Sequence, residues 1–127
     1  LLAVTERAAE LRLGDKDVFV ATVGGARLSD PSTDLAVCLA LASAAWDAAM
    51  PPDVAVVGEV ALSGDIRPVP MLSQRVAEAA RLGYRRLLVP PGTGRHVSSI
   101  PAGLVVVELE HLDRALVALR TIAGAPR

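Results

Sequence analysis

Lysine is almost missing from this chain: Lys16 stands alone beside twelve arginines. Any chemistry that requires a lysine has that one residue to draw on. Aromatic side chains are as scarce, with Phe19, Trp46 and Tyr84 the single members of their kinds, which argues against the stacked aromatic platforms that hold single-stranded nucleic acid. The lone cysteine, Cys38, excludes an internal disulfide and suits a reducing cytoplasm. It lies in an apolar helical run as a small core residue. His96 and His111 are isolated and no Cys-x-x-Cys occurs, so no metal-ligand spacing is present. A formal net charge of −1 argues against a non-specific nucleic-acid coat protein. The longest apolar run, residues 35–46, is too short to span a bilayer, and no charged-then-apolar leader precedes it. A cytoplasmic protein with no membrane partner is expected.

What is present is a chain of 127 residues, 52% apolar, long enough for one domain around one aliphatic core. It starts with Leu rather than Met and its first residues read like the middle of something, so a piece of a longer polypeptide is expected. The excess of arginine over lysine has two readings. One is the codon bias of a GC-rich genome, and the other is recognition of phosphate or carboxylate, which suits the planar guanidinium better than an ammonium.

Along the chain, residues 1–10 read as a moderately amphipathic helix. Residues 17–23 read as a buried strand ending at Gly24-Gly25, with a second short strand at Arg27 and Leu28. Asp30-Pro31 is a helix-start signal, opening a helix over 31–49 that is apolar nearly all round and expected to be buried on most sides. Residues 54–62 read as one inner strand and Ser63-Gly64-Asp65 as a turn. Residues 66–69 make a short return strand broken by Pro68 and Pro70, suited to an edge. An amphipathic helix over 72–83 places Leu72, Val76, Ala79, Ala80 and Leu82 inward, with Gly83 as its C-cap. Strands at 86–89 and 104–108 flank a loop or single helical turn, and a last helix at 111–122 turns Leu112, Ala115, Leu116 and Leu119 inward. This order fits the α+β class, as a two-layer α/β sandwich with a mixed sheet.

Three strings stand out: Asp30-Pro31-Ser32-Thr33-Asp34-Leu35-Ala36, then Gly58-Glu59-Val60-Ala61-Leu62-Ser63-Gly64-Asp65-Ile66-Arg67-Pro68-Val69, then Ala79-Ala80-Arg81-Leu82-Gly83-Tyr84. With Asp17-Val18-Phe19-Val20 and Gly24-Gly25-Ala26-Arg27 they closely resemble the C-terminal Lon-like domain of the RadA (Sms) family of bacterial DNA-repair ATPases. The resemblance covers essentially the whole chain. It implies a fold like the second domain of ribosomal protein S5, as in the Lon proteolytic domain, with residues 1–127 a single C-terminal domain of a longer ATPase. It also implies a non-proteolytic tail that helps to assemble a hexameric ring and contacts double-stranded or branched DNA during branch migration, with RecA a further partner of the parent protein. ATP and zinc belong to upstream domains in that family. This chain has no Gly-x-x-x-x-Gly-Lys-Ser/Thr loop and needs no cofactor of its own.

The resemblance places Ser32 at the Lon nucleophile and Ser73 at the position of its lysine. A Ser73 hydroxyl is not basic enough to activate a serine, and the neighbouring Arg75 keeps its proton. Asp30 and Asp34 stand where Lon has glycines, and acids beside a nucleophile disfavour both the alkoxide and a developing oxyanion. The Ser-Lys dyad reads as degenerate. Arg27, Arg67, Arg75, Arg81, Arg85 and Arg86 are the candidate DNA-binding or interface residues, Arg67 and Arg75 foremost. The spacing of Arg75 and Arg81 does not guarantee one stripe, and pairing with Glu78 on a solvated face is the plainer use of either. Asp34, Glu59 and Asp65 read as turn, cap or interface carboxylates, and Gly92-Thr93-Gly94-Arg95 as a turn. Two rival readings remain: a serine peptidase using Ser32 with an unusual base, and a purely structural oligomerisation scaffold.

Overall fold

The computed structural model describes residues 30–123. The helix expected over 1–10, the strands expected at 17–23 and at Arg27-Leu28, and Arg27 itself lie outside the described residues. A 3-10 turn, Pro31–Thr33, leads into helix α1, Asp34–Trp46. Strands β1 (Val54–Val56), β2 (Glu59–Val60) and β3 (Ile66–Arg67) follow, then helix α2 (Leu72–Arg81). Strand β4 (Arg86–Val89), the single turn α3 (Thr93–His96), strand β5 (Val105–Glu108) and helix α4 (Leu112–Ala123) complete it.

Parallel and antiparallel pairing are both present, divided between two small sheets. Strands β1, β4 and β5 form a parallel sheet in the order β1-β4-β5, with Val54 opposite Arg86 and Arg86 opposite Val105. Strands β2 and β3 form an antiparallel hairpin with Glu59 opposite Arg67. Side chains on the central strand alternate between two cores, as the strand period requires. Leu88 packs with Leu35, Cys38, Leu39 and Ala42 of α1 and with Leu112, Ala115, Leu116 and Leu119 of α4. Leu87 and Val89 pack with Val76 and Ala79 of α2 and with Val97 and Leu104. Helices therefore cover both faces of the parallel sheet.

As expected, the Asp30 side chain accepts the Ser32 backbone N–H with Pro31 in the first turn, but that cap opens the 3-10 turn, and α1 itself starts later than expected, at Asp34 after Thr33. It stops earlier than expected, because Asp47 adopts a left-handed conformation with φ 53°, before Pro51 is reached. Ala40 and Ala44 are exposed, leaving one strip of α1 open, whereas its other residues are buried or half-buried. The single strand expected over 54–62 is broken. Val57 N–H still bonds Leu88 O of the parallel sheet at 2.9 Å, but Gly58 turns its backbone to the α1 entrance. Helix α2 ends at Arg81 with Gly83 at φ 89°, the left-handed residue that closes helices. That early end leaves Leu82, expected inward, 59% exposed.

Candidate functional site

Ser32 sits in the 3-10 turn ahead of α1, only 4% exposed. Its backbone N–H and its hydroxyl both donate to Asp30 Oδ1, at 3.0 and 2.9 Å. Its carbonyl accepts from Gly58 N–H at 3.0 Å, and Gly58 O accepts from Leu35 N–H at 3.0 Å. Asp34 Oδ2 accepts the Val60 N–H at 3.1 Å. The turn is thus stitched to residues 58–60 by backbone and carboxylate. Packing is tight at Gly58, where an added Cβ would meet Ile66 Cγ2 at 3.1 Å and Leu35 Cδ2 at 3.3 Å and require those side chains to give.

The two aspartates of this turn act as ties. The Ser32 backbone N–H, then its hydroxyl, hold the Asp30 carboxyl below the ordinary carboxylate value, against a smaller opposing effect of burial and with a further lowering by Arg75. A carboxylate so stabilised is a weak base. It fixes the hydroxyl as a donor without the basicity to remove its proton.

Beside this turn lies a cleft of about 440 Å³. Thr33 and Ala36 border it on the α1 side, residues 55–57 form its floor, and Met71, Gln74, Arg75, Glu78, Ala79 and Leu82 line the α2 side. These α2 positions recur at the three- and four-residue spacing of one helical face. Ser73 falls off that face. It is exposed and does not line the cleft, so the position resembling the Lon lysine does not meet Ser32 there. Among the described residues, the cation that faces the cleft is Arg75, whose Nε donates to Pro70 O at 2.9 Å. A guanidinium offers donors and positive charge, not a base.

The remaining arginines are spread over the described surface. Arg67 is exposed on β3 and faces Glu59 across the hairpin. Arg81 is exposed and bidentate to Glu78, with Nε to Oε1 at 2.8 Å. That pair lowers the Glu78 carboxyl and raises the Arg81 guanidinium from their ordinary values. Arg85 is exposed and Arg86 half-buried at the start of β4, their backbone N–H groups donating to Asp53 O at 2.9 and 3.3 Å. Among the described residues, Arg81 is the one of these arginines held in an ion pair. The structure brings Ser32 and Arg75 to one cleft, and sets Arg75 and Arg81 on different sides of α2.

Three side chains matter more than sequence reasoning anticipated. His111 accepts the Asp113 N–H on Nδ1 at 3.1 Å and lies 3.1 Å through Nε2 from Ser63 O, a pattern that places its proton on Nε2. Gly64 packs so closely on this ring that an added Cβ would be 2.7 Å from it. Glu108 accepts the Gly92 and Gly94 N–H groups at 2.8 Å each, which lowers its carboxyl below the ordinary value. The Gly92-Thr93-Gly94-Arg95 segment is therefore a helical turn in which the Gly92, Gly94 and Arg95 amides are already taken. Arg120 lies 4.0 Å over the Trp46 ring, joining the end of α1 to α4. The solitary tryptophan was the one sequence signal for that contact, since such rings attract arginine.

Among the described residues, no group of three or more His, Cys, Asp or Glu could hold a metal, and no helix is long and apolar enough to cross a membrane. Residues 5–119 match the family model of the Lon protease (S16) C-terminal proteolytic domain. The chain is 46% identical over 123 residues to the DNA repair protein RadA of Mycolicibacterium smegmatis, covering 97% of this chain and 26% of that protein. It is 42% identical over 116 residues to the RadA of Escherichia coli, covering 91% and 25%. It is 40% identical over 119 residues to the RadA of Pseudomonas aeruginosa, covering 94% and 26%. The chain thus spans about a quarter of the length of these relatives. On the strength of these matches, this chain belongs to the Lon protease C-terminal proteolytic domain family, as a Lon-like domain of the RadA type.

Proposed function

We propose that this chain is the non-proteolytic, C-terminal Lon-like domain of a RadA-type recombinational DNA-repair protein of the cytoplasm, supporting hexameric ring assembly and double-stranded DNA binding during branch migration. The observation that carries the non-proteolytic half is the Ser32 hydroxyl donating to Asp30 Oδ1, beside a cleft whose cation is Arg75. A serine nucleophile needs a neighbouring base to take its proton. Among the described residues, the acceptor that Ser32 meets is a carboxylate made less basic by that same hydrogen bond, and the cation lining the cleft never gives up its proton.

The DNA half is supported by the similarity to DNA repair proteins and by the exposed guanidiniums of Arg67 and Arg85. Each contributes a modest, salt-sensitive phosphate contact, and repetition round a ring multiplies such contacts into useful affinity. ATP and zinc act in the parent protein's other domains, and RecA meets the parent rather than this surface alone.

Two assays on the parent protein test the reading. Removing this region is expected to abolish ring formation and weaken duplex binding, and undiminished assembly and binding would contradict it. A serine-directed fluorophosphonate is expected to leave Ser32 unlabelled; labelling lost on Ser32→Ala would restore the peptidase reading.

A further inference from the structure

We propose that the tip of the β2–β3 hairpin of one copy of this chain docks in the Ser32–Arg75 cleft of the next, a head-to-tail contact that rests on the ring-forming reading above. The cleft is shaped to receive an apolar side chain with an adjacent anion. Ala36, Val56 and Ala79 give it an apolar interior, and Met71 and Leu82 on its rim are 61% and 59% exposed. Exposed apolar rims of this kind mark interaction surfaces. The charges around it are unequally engaged. Asp30 is tied to Ser32 and Glu78 to Arg81. Arg75 has only its Nε bond to Pro70 O and no ion pair within 4.0 Å among the described residues. Among the described residues, the cleft therefore presents one available cation, Arg75.

The hairpin tip carries the complement. Leu62 is 82% exposed, more than any other large apolar side chain among the described residues. Three residues on, exposed Asp65 has its carboxylate bonded, among the described residues, by the Ser63 hydroxyl at 2.9 Å. The tip is held in shape by Gly64 N–H to Ala61 O at 2.8 Å, Ala61 N–H to Asp65 O at 2.9 Å, and Leu112 N–H to Gly64 O at 2.8 Å. A preorganised loop loses little freedom on docking.

The tip does not line the cleft of its own chain: neither Leu62 nor Asp65 borders it, and the tip is bonded instead to the start of α4 through Leu112 N–H to Gly64 O. Donor and acceptor surfaces differ, so the contact is heterologous. Such contacts close into rings when the rotation between copies permits.

Sedimentation equilibrium of this chain tests the proposal with variants on each surface. Leu62→Ser disables the tip, and Gln74→Trp fills the cleft from an exposed helix position. Each is expected to weaken self-association about 10-fold or more, the loss of one buried leucine's contribution. Mixing the two variants is expected to restore a two-chain species, because each keeps the surface the other has lost. Asp65→Arg combined with Arg75→Asp is expected to recover association that each alone weakens. Wild-type association unaffected by any variant would overturn this contact while leaving ring assembly through another surface. A wild-type chain monomeric at every concentration would overturn the contact and the ring-forming role of this domain together.

Discussion

Asp34 and Ser32 make adjacent polar contacts with unequal consequences when lost. Asp34→Ala leaves the part-buried Val60 N–H without its acceptor, and an unpaired buried donor costs about 1–3 kcal/mol. Ser32→Ala removes a hydroxyl donor but leaves the Ser32 backbone N–H on Asp30, at a cost of roughly 1 kcal/mol or less. Urea denaturation is expected to rank them in that order. Equal losses, or a greater loss from Ser32→Ala, would show that the turn is held otherwise. The Asp30 cap was legible in the sequence, since Asp-Pro ahead of an apolar run is a helix-start pattern. The Asp34 tie was not, because its partner lies 26 residues away and neither residue alone signals the other.

At the scale of elements, β4 and α4 were legible nearly to the residue. Each depends on its own pattern: Leu87, Leu88 and Val89 form a fully buried run, and Leu112, Ala115, Leu116 and Leu119 repeat at helical spacing. Leu88→Ala and Leu119→Ala are each expected to destabilise the chain by about 2–5 kcal/mol, read from thermal or urea unfolding. Val117→Ala, on the exposed side of α4, is expected to change little. The break after Val57 was not legible, because an apolar, β-branched run carries no mark of the place where its backbone leaves one sheet for another. Contacts with Ser32 and Leu35 decide it. Glu108 likewise joins the end of β5 to α3 across a separation that no local motif records. Its lowered carboxyl makes that join sensitive to acid. A carboxylate whose folded pKa is depressed contributes stability that is present above its unfolded pKa, ordinarily 4.5 for Glu108 and 3.8 for Asp30. That contribution is lost as pH falls through the folded value. The unfolding midpoint is therefore expected to fall as the pH drops below about 4.5, and Glu108→Gln, which keeps only one acceptor, to flatten part of that fall. An unchanged pH profile in the variant would contradict the role given to Glu108.

For the whole molecule, a balanced net charge hides an uneven engagement of charges. Arg81 is spent on Glu78, whereas exposed Arg67 and Arg85 have no ion pair among the described residues. Composition disclosed the arginine excess, but which guanidiniums stay available depends on helix phase and strand register, which the folded chain alone displays. The proposed loss of a protease's chemistry is consistent with retention of its scaffold at this scale, since Asp30 ties Ser32 while Asp34 joins the helix entrance to Val60. The most direct measurement is the salt dependence of duplex DNA binding by this chain, followed by fluorescence anisotropy, for the wild type and for Arg67→Glu with Arg85→Glu. Affinity is expected to fall steeply with salt, and the double reversal to weaken binding on every sequence and reduce the log-log salt slope by roughly 2. Binding that ignores both salt and the reversal, or no duplex binding even at low salt, would contradict a DNA-contacting role for this domain.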